Sequence, residues 1–140
     1  MADAPTGPFL QVGVTWRDPV VGLAEAGAKW DAADKAWACT AALAASVVAP
    51  YLTSVTSGDV YVDALTSAGL EAAAADAGLH PIEGGRLTLR PFPTVTSQRL
   101  SVQKEGLRIA PWPRVYADLR LLGVRGEEAA EHLREVIHAR

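Results

Sequence analysis

Residues 111–121, PWPRVYADLRL, and their continuation GEEAAEHLR at 126–134 predict the two helices that end this chain. Pro113 suits the first turn of a helix, because its ring presets φ and its missing N–H is not needed there. Val115 and Leu119 then lie on one face at helical spacing. The first stretch therefore predicts a short amphipathic helix that buries this face.

A second helix is expected to begin at Gly126. Glu127 and Glu128 fall in its first turn, where carboxylates suit the positive end of the helix dipole. The residues that recur at helical spacing along its apolar stripe are Ala129, Ala130, Leu133, Val136 and Ile137. These positions predict that the last helix packs on the body of the fold along one side.

Polar and aromatic side chains of the first helix are candidates for particular roles. Trp112, held between two prolines, is either core lining or an exposed anchor for a partner, and we favour the core. Tyr116 is expected to pack near it with its hydroxyl at the edge. Asp118 follows Arg114 by four residues, so the two can pair on one helix face. Asp118 could instead cap the last helix or pair with Arg125, which would lock the two helices together.

The run PWPRVYADLRLLGVRGEEAAEHLRE resembles the end of the C-terminal domain of AbiEi-type antitoxins of type IV toxin–antitoxin systems. That family's pattern is a Tyr-x-Asp-Leu helix after an apolar residue or Pro, a Gly-containing turn, and Arg-Gly-Glu-Glu-Ala-Ala opening a last helix. AWACTAALAASVVAPYL and DVYVD are similar to its central helix and strand, so the resemblance covers roughly residues 10–137. The residues that carry the scaffold motif are Tyr116, Asp118, Leu119, Gly126, Glu127 and Glu128.

The resemblance implies a binding function. In the family, an N-terminal winged-helix domain binds operator DNA, and the C-terminal domain serves antitoxicity against a cognate nucleotidyltransferase toxin. This sequence has no recognisable winged helix, so DNA repression is not carried over to it. The expectation is a non-catalytic, cytoplasmic antitoxin or regulator domain that binds a toxin protein.

The whole sequence is of the size of one domain, with 140 residues. Residues 1–8 are expected to be a flexible lead-in and residues 9–140 a single domain. Strands are expected at 10–16, 60–62, 86–90, 101–103 and 107–109, the last two as a hairpin with its turn at 104–106. Helices are expected at 18–28, 36–49 and 66–77, the last with a cap at Thr66 or Ser67 and a stop at Gly78. A polar loop is expected at 29–35, and His80 is expected on a surface loop. The order predicts an α+β fold: a small mixed sheet packed against a buried central helix, followed by the two C-terminal helices.

Several classes of site are excluded by composition. The single cysteine, Cys39, lies in an apolar run and is expected to be a buried core residue rather than a reactive thiol. The histidines His80, His132 and His138 have no ligand spacing, so we expect no metal site and no cofactor. The apolar run at 36–49 is too short for a bilayer, which needs about 20 residues, and the first residues lack a secretory signal.

The net charge of −3 hides a strong asymmetry. Residues 1–85 carry three basic and ten acidic side chains, whereas residues 86–125 carry eight basic and two acidic ones, a net of +6. This basic segment is either a solvated face paired with the acidic half or a surface for an acidic partner or a nucleic-acid backbone. The candidate partner-binding residues are Arg86, Arg90, Arg99, Arg108, Trp112, Arg114, Arg120 and Arg125.

One enzyme-like pattern occurs. A small-residue helix, a loop and the strand GDVYVD resemble the core of minimal nucleotidyltransferases, in which an Asp-x-Asp pair holds two metal ions. Here the helix has no glycine at its start, and Asp59 and Asp63 would lie roughly 13 Å apart on a strand. We read the pattern as a degenerate nucleotidyltransferase-like scaffold that lacks the site. The alternatives to the antitoxin reading are a diverged nucleotidyltransferase-like enzyme using these aspartates, or a nucleic-acid-binding module using residues 86–125.

Overall fold

The computed structural model describes residues 8–16, 18–41, 43–44, 58–93, 101–104, 106–121 and 124–138. These residues form an α+β fold, as predicted. The strands are β1 (Leu10–Gly13), β2 (Trp37–Thr40), β3 (Gly58–Val62), β4 (His80–Pro81), β5 (Leu87–Pro91), β6 (Val102–Lys104) and β7 (Leu107–Ile109). The helices are α1 (Pro19–Ala32), α2 (Ser67–Asp76), α3 (Trp112–Arg120) and α4 (Val124–His138).

The strands of the described chain form one mixed sheet in the order β4-β1-β5-β3-β2-β7-β6. β3 runs parallel to β5 and β2 runs parallel to β7, whereas the other neighbours are antiparallel. The central strands β3 and β2 pair from Val62 opposite Trp37 to Asp59 opposite Thr40. This register aligns the polar residues of the sheet centre with one another.

Helices cover both faces of this sheet. On one face, the indole N–H of Trp30 in α1 donates to the backbone carbonyl of Ala73 in α2 at 2.7 Å, and its ring lies 5.8 Å from that of Trp37. Thr40, three residues after Trp37 on the same strand, faces the opposite side, because successive strand residues alternate. There its hydroxyl bonds to Asp118 of α3. The sheet is therefore enclosed between α1 and α2 on one side and α3 on the other.

The prediction of a central helix at 36–49 is wrong for its first residues. Trp37–Thr40 is a strand whose four residues are all buried, and among the described residues the helical conformation begins only at Ala41. Residues 45–49 lie outside the described part of the chain. A strand buried on both faces shows no alternation of apolar and polar residues, so periodicity alone does not distinguish it from a buried helix.

β1 ends at Gly13 rather than near Trp16, and tertiary contacts explain two other differences from the prediction. The segment expected as a polar loop at 29–35 continues α1 as far as Ala32, because Trp30 buries its whole side chain. His80, expected on a surface loop, pairs with Gly13 in the short edge strand β4. Both errors arise where a tertiary contact outweighs a locally polar sequence.

The predicted cap of α2 and the predicted hairpin are confirmed. Thr66 caps α2 through its side chain, and Gly78 follows this helix with a φ of +70°. β6 and β7 form the predicted hairpin, with Gly106 at a φ of +80° in its turn. In the part of the chain that the structure describes, none of the helices combines the length and the hydropathy that crossing a bilayer requires.

Candidate functional site

A buried carboxylate joins α3 to the centre of the sheet. One oxygen of Asp118, Oδ2, accepts hydrogen bonds from the hydroxyls of Thr40 and Tyr61, each at 2.6 Å. The other, Oδ1, accepts from Nε of Arg114 at 3.1 Å and from its Nη2 at 2.8 Å. We call these four residues the Asp118 cluster. Its hydrogen bonds are charge-assisted and therefore stronger than neutral ones.

The cluster is removed from solvent. Asp118 is 6% exposed and Arg114 is 9% exposed, so this ion pair is not a surface pair. Burial raises the pKa of the Tyr61 hydroxyl well above its usual range, and the neighbouring Asp118 charge raises it further. Tyr61 is thus held as a neutral phenol that donates to the carboxylate. The cluster therefore holds α3 against β2 and β3 through a carboxylate whose two oxygens both accept hydrogen bonds.

A second charged pair lies beside the cluster. Asp59 is opposite Thr40 in the β2–β3 register, and its Oδ1 lies 3.7 Å from Nε of Arg90. Burial raises the pKa of Asp59, Arg90 lowers it by a smaller amount, and the negative charge of Asp118 raises it. The guanidinium carbon of Arg90 also lies 5.3 Å from the centre of the Phe9 ring. Both side chains of the pair keep partial access to solvent.

The aspartates of the nucleotidyltransferase-like pattern have different surroundings. Asp59 is half-buried against Arg90, whereas Asp63 lies beyond the end of β3 and is exposed. In the described ranges, no group of three or more His, Cys, Asp or Glu side chains is placed to hold a metal ion. Asp59 and Asp63 therefore differ in burial and in their partners.

The outer surfaces of α3 and α4 form an open groove of about 600 Å³. Its lining residues, which we call the α3–α4 groove, are Trp112, Pro113, Tyr116, Ala117, Arg120, Leu121, Glu127 and Arg134. The groove lies on the side of α3 that faces away from the Asp118 cluster, since Val115 and Leu119 are the residues of α3 that are buried alongside Asp118. The two helices thus have one anchored side and one open side.

Aromatic side chains shape one end of this groove. Trp112 is 38% exposed, so the core position that we favoured for it is not what the structure shows. Its ring meets Tyr116 edge-on at 6.5 Å and His138 edge-on at 5.9 Å. The Tyr116 hydroxyl donates to Glu131 at 2.8 Å, which confirms its predicted place beside Trp112 with its hydroxyl at the edge. Trp112 is therefore held at the surface between the two helices.

The candidate arginines do not gather on one surface. Arg114 is buried against Asp118, so the structure gives no support to its expected contact with a partner. Arg90 pairs with Asp59, and Arg108 pairs with Asp31 at 3.1 Å. These pairs agree with the alternative in which the basic segment is neutralised by the acidic half of the chain.

The remaining candidates have varied positions. Arg86 donates to the backbone carbonyl of Val14 at 2.9 Å. Arg120 is exposed, and its guanidinium carbon lies 5.8 Å from the centre of the Tyr116 ring. Arg99 and the side chain of Arg125 lie outside the described residues. Of the candidates that the structure describes, Trp112 and Arg120 share one groove.

The scaffold residues of the C-terminal motif are placed mostly as expected. Leu119 is fully buried, and Asp118 pairs with Arg114 rather than capping the last helix. α4 begins at Val124, two residues before the predicted Gly126, which leaves Glu127 in its first turn. Glu128 is exposed. Ala129, Ala130 and Leu133 are buried as predicted.

The sequence does not identify Thr40 and Tyr61 as partners of Asp118. Thr40 is a hydroxyl inside an apolar run, and a buried polar group needs a hydrogen-bond partner. Tyr61 is a phenol inside a core strand with the same requirement. The signal was present at each position, but the partner lies 78 residues away for Thr40 and 57 away for Tyr61.

Comparisons with protein-family models, with curated proteins and with solved structures find no match to this chain.

Proposed function

We propose that this chain is a non-catalytic binding module, the C-terminal domain of an AbiEi-like antitoxin or regulator, which binds a cognate nucleotidyltransferase-type toxin. The observation that carries the proposal is the two-sided construction of α3. Its inner side is tied to β2 and β3 through Asp118, and its outer side presents Trp112 in an open groove. The sequence of this same region carries the resemblance to the antitoxin family.

The physical support comes from preorganisation. An anchor residue contributes most to binding when its side chain is already held in place, because less conformational freedom is lost on association. The ring of Trp112 is in contact with Tyr116 and His138, and α3 is held by buried hydrogen bonds. Tryptophan, tyrosine and arginine are the residues most enriched at the centres of protein interfaces.

The two alternatives have weaker support from geometry. A nucleotidyltransferase-like enzyme would need carboxylates that converge on metal ions, whereas Asp59 pairs with Arg90 and Asp63 is exposed beyond the end of β3. A nucleic-acid module using residues 86–125 would need free cations on one face. Arg90, Arg108 and Arg114 are each paired with a carboxylate.

Affinity purification from the native host tests the proposal. The full chain is tagged, recovered at moderate salt, and the captured molecules are identified by mass spectrometry. Capture of a nucleotidyltransferase-type protein whose toxicity the chain relieves would support the antitoxin function. Capture of nucleic acid alone, or of nothing, would contradict it. A nucleotide-labelling assay with Mg²⁺ on the wild type and on Asp59→Ala would then test the enzymatic alternative.

A further inference from the structure

Arg120 and Arg134 line the α3–α4 groove together with Glu127. Glu131 contacts two of the lining residues, Arg134 and Tyr116, so two cations and two carboxylates lie in the groove and at its edge. In the part of the chain that the structure describes, the Arg120 guanidinium contacts the Tyr116 ring, and no carboxylate pairs with it. An acidic side chain of a partner would therefore gain a counter-charge here.

Arg134 is also accessible to a partner. It pairs with Glu131 at 2.8 Å, but the side chains of this pair are 54% and 48% exposed. Exposed ion pairs of this kind contribute little to stability, so Arg134 can leave Glu131 and pair with another carboxylate at little cost. Both guanidinium groups of the groove can thus meet an incoming carboxylate without breaking a buried contact.

Exposed apolar residues mark the two ends of the groove along α3. Trp112 is 38% exposed at the first residue of the helix, and Leu121 is 56% exposed just after its last. They are nine positions apart, which is an axial rise of about 13 Å and about two and a half helical turns, so their side chains lie on opposite flanks of the outer face of α3. A segment that contacts both must cross this face and needs apolar side chains at least this far apart, with an acidic side chain between them to reach Arg120.

We propose that the α3–α4 groove is the site at which this chain binds an acidic segment of its partner protein, one that carries apolar anchor residues on either side of a carboxylate. The inference rests on the proposed function in taking the partner to be a protein, and it goes further in naming the surface and the chemistry of the bound segment. The apolar anchors contact Trp112 and Leu121, and the carboxylate pairs with Arg120.

A displayed library of random short peptides, selected on the full chain, tests this proposal. We expect the selected peptides to be enriched in Asp or Glu beside Leu, Phe or Trp. Their affinity should fall about 30-fold in Trp112→Ala, as for an interface hot spot, and by a similar factor in Arg120→Glu. Both side chains lie at the surface, so circular dichroism should show folded variants.

Matched control variants carry the same chemical changes elsewhere. Leu65→Ala removes an apolar side chain that is 87% exposed before α2, and Lys104→Glu reverses an exposed charge on β6. Neither should change peptide affinity. Absence of an acidic and apolar motif, or equal binding to Arg120→Glu and the wild type, would overturn the proposal. So would displacement of the peptides by a single-stranded oligonucleotide that binds more tightly near physiological salt.

Different experimental results would overturn the groove as the binding site and the antitoxin function. Capture from the native host uses the unaltered chain and does not depend on which surface binds. A captured toxin that binds Trp112→Ala and Arg120→Glu as tightly as the wild type would overturn the groove as the site while leaving the antitoxin function in place.

Discussion

The Asp118 carboxylate accepts a 2.6 Å hydrogen bond from the hydroxyl of Tyr61, and this contact connects α3 to the central strand β3 across 57 residues of sequence. Thr40 on β2 donates to the same oxygen. Arg114, one helical turn before Asp118, neutralises the other oxygen. α3 is thus attached to the sheet through a buried carboxylate as well as through the apolar side chains of Val115 and Leu119, and Asp118 is the first residue to test.

Asp118→Asn should lower the free energy of unfolding by about 3–5 kcal/mol, because a buried guanidinium loses the carboxylate that it pairs with. Urea denaturation followed by tryptophan fluorescence measures the change. Glu131→Gln is the control, since it removes the carboxylate of an exposed pair and should cost no more than about 0.5 kcal/mol. Similar losses in both variants would contradict the role that we assign to the buried cluster.

Removing one hydroxyl should cost more stability in the buried Asp118 cluster than at the protein surface. Tyr61→Phe deletes a donor to a buried charged acceptor and should cost about 1.5–3 kcal/mol. Tyr116→Phe deletes the hydroxyl that donates to Glu131 at the surface, and it should change stability by about 0.5 kcal/mol or less. Thermal and urea denaturation of the two variants make the comparison. A larger loss for Tyr116→Phe would show that the buried hydroxyl is not the important one.

The raised pKa of Asp59 predicts a pH dependence with a defined sign. Because the folded state holds this proton more tightly than the unfolded chain does, stability attributable to Asp59 decreases as pH rises from its ordinary pKa of 3.8 through the higher folded value. The difference in unfolding free energy between the wild type and Asp59→Asn should therefore decrease across that window and then level off. A difference that grows with pH would mean that Arg90, rather than burial, dominates the site.

Cys39 should be inert in the folded protein. Burial raises the pKa of its thiol to about 12, so the thiolate that reacts with alkylating agents is scarce at neutral pH. Labelling by iodoacetamide should be negligible in buffer and complete in denaturing urea. Rapid labelling of the native protein would mean that β2 opens locally, and the buried position of this strand would then need revision.

Much of the C-terminal region could be predicted from its sequence, because its helices carry local signals. The spacing of Val115 and Leu119 defines a buried face, and the four-residue separation of Arg114 and Asp118 predicts their pairing. Burial of that pair could not be predicted. It depends on Thr40 and Tyr61, which reach Asp118 only through the assembled sheet.

Strand β2 shows why the sheet was harder to predict than the C-terminal helices. Trp37–Thr40 belongs to an alanine-rich run with no polar alternation, a pattern shared by buried helices and strands. What decides between them is pairing with β3 on one side and β7 on the other, and both partners are distant in sequence. The exposure of Trp112 is a similar case, because it depends on where His138 and Tyr116 lie.

The most direct test of the proposed antitoxin function is a growth assay with the nucleotidyltransferase-type toxin that we expect to co-purify with the chain. Cells express this toxin alone, with the wild-type chain, or with the chain carrying Trp112→Ala and Arg120→Glu, at matched levels of folded protein. We predict that the wild type restores growth, that the double variant does not, and that Lys104→Glu restores growth like the wild type. Continued growth arrest with the folded wild-type chain present would contradict the antitoxin function.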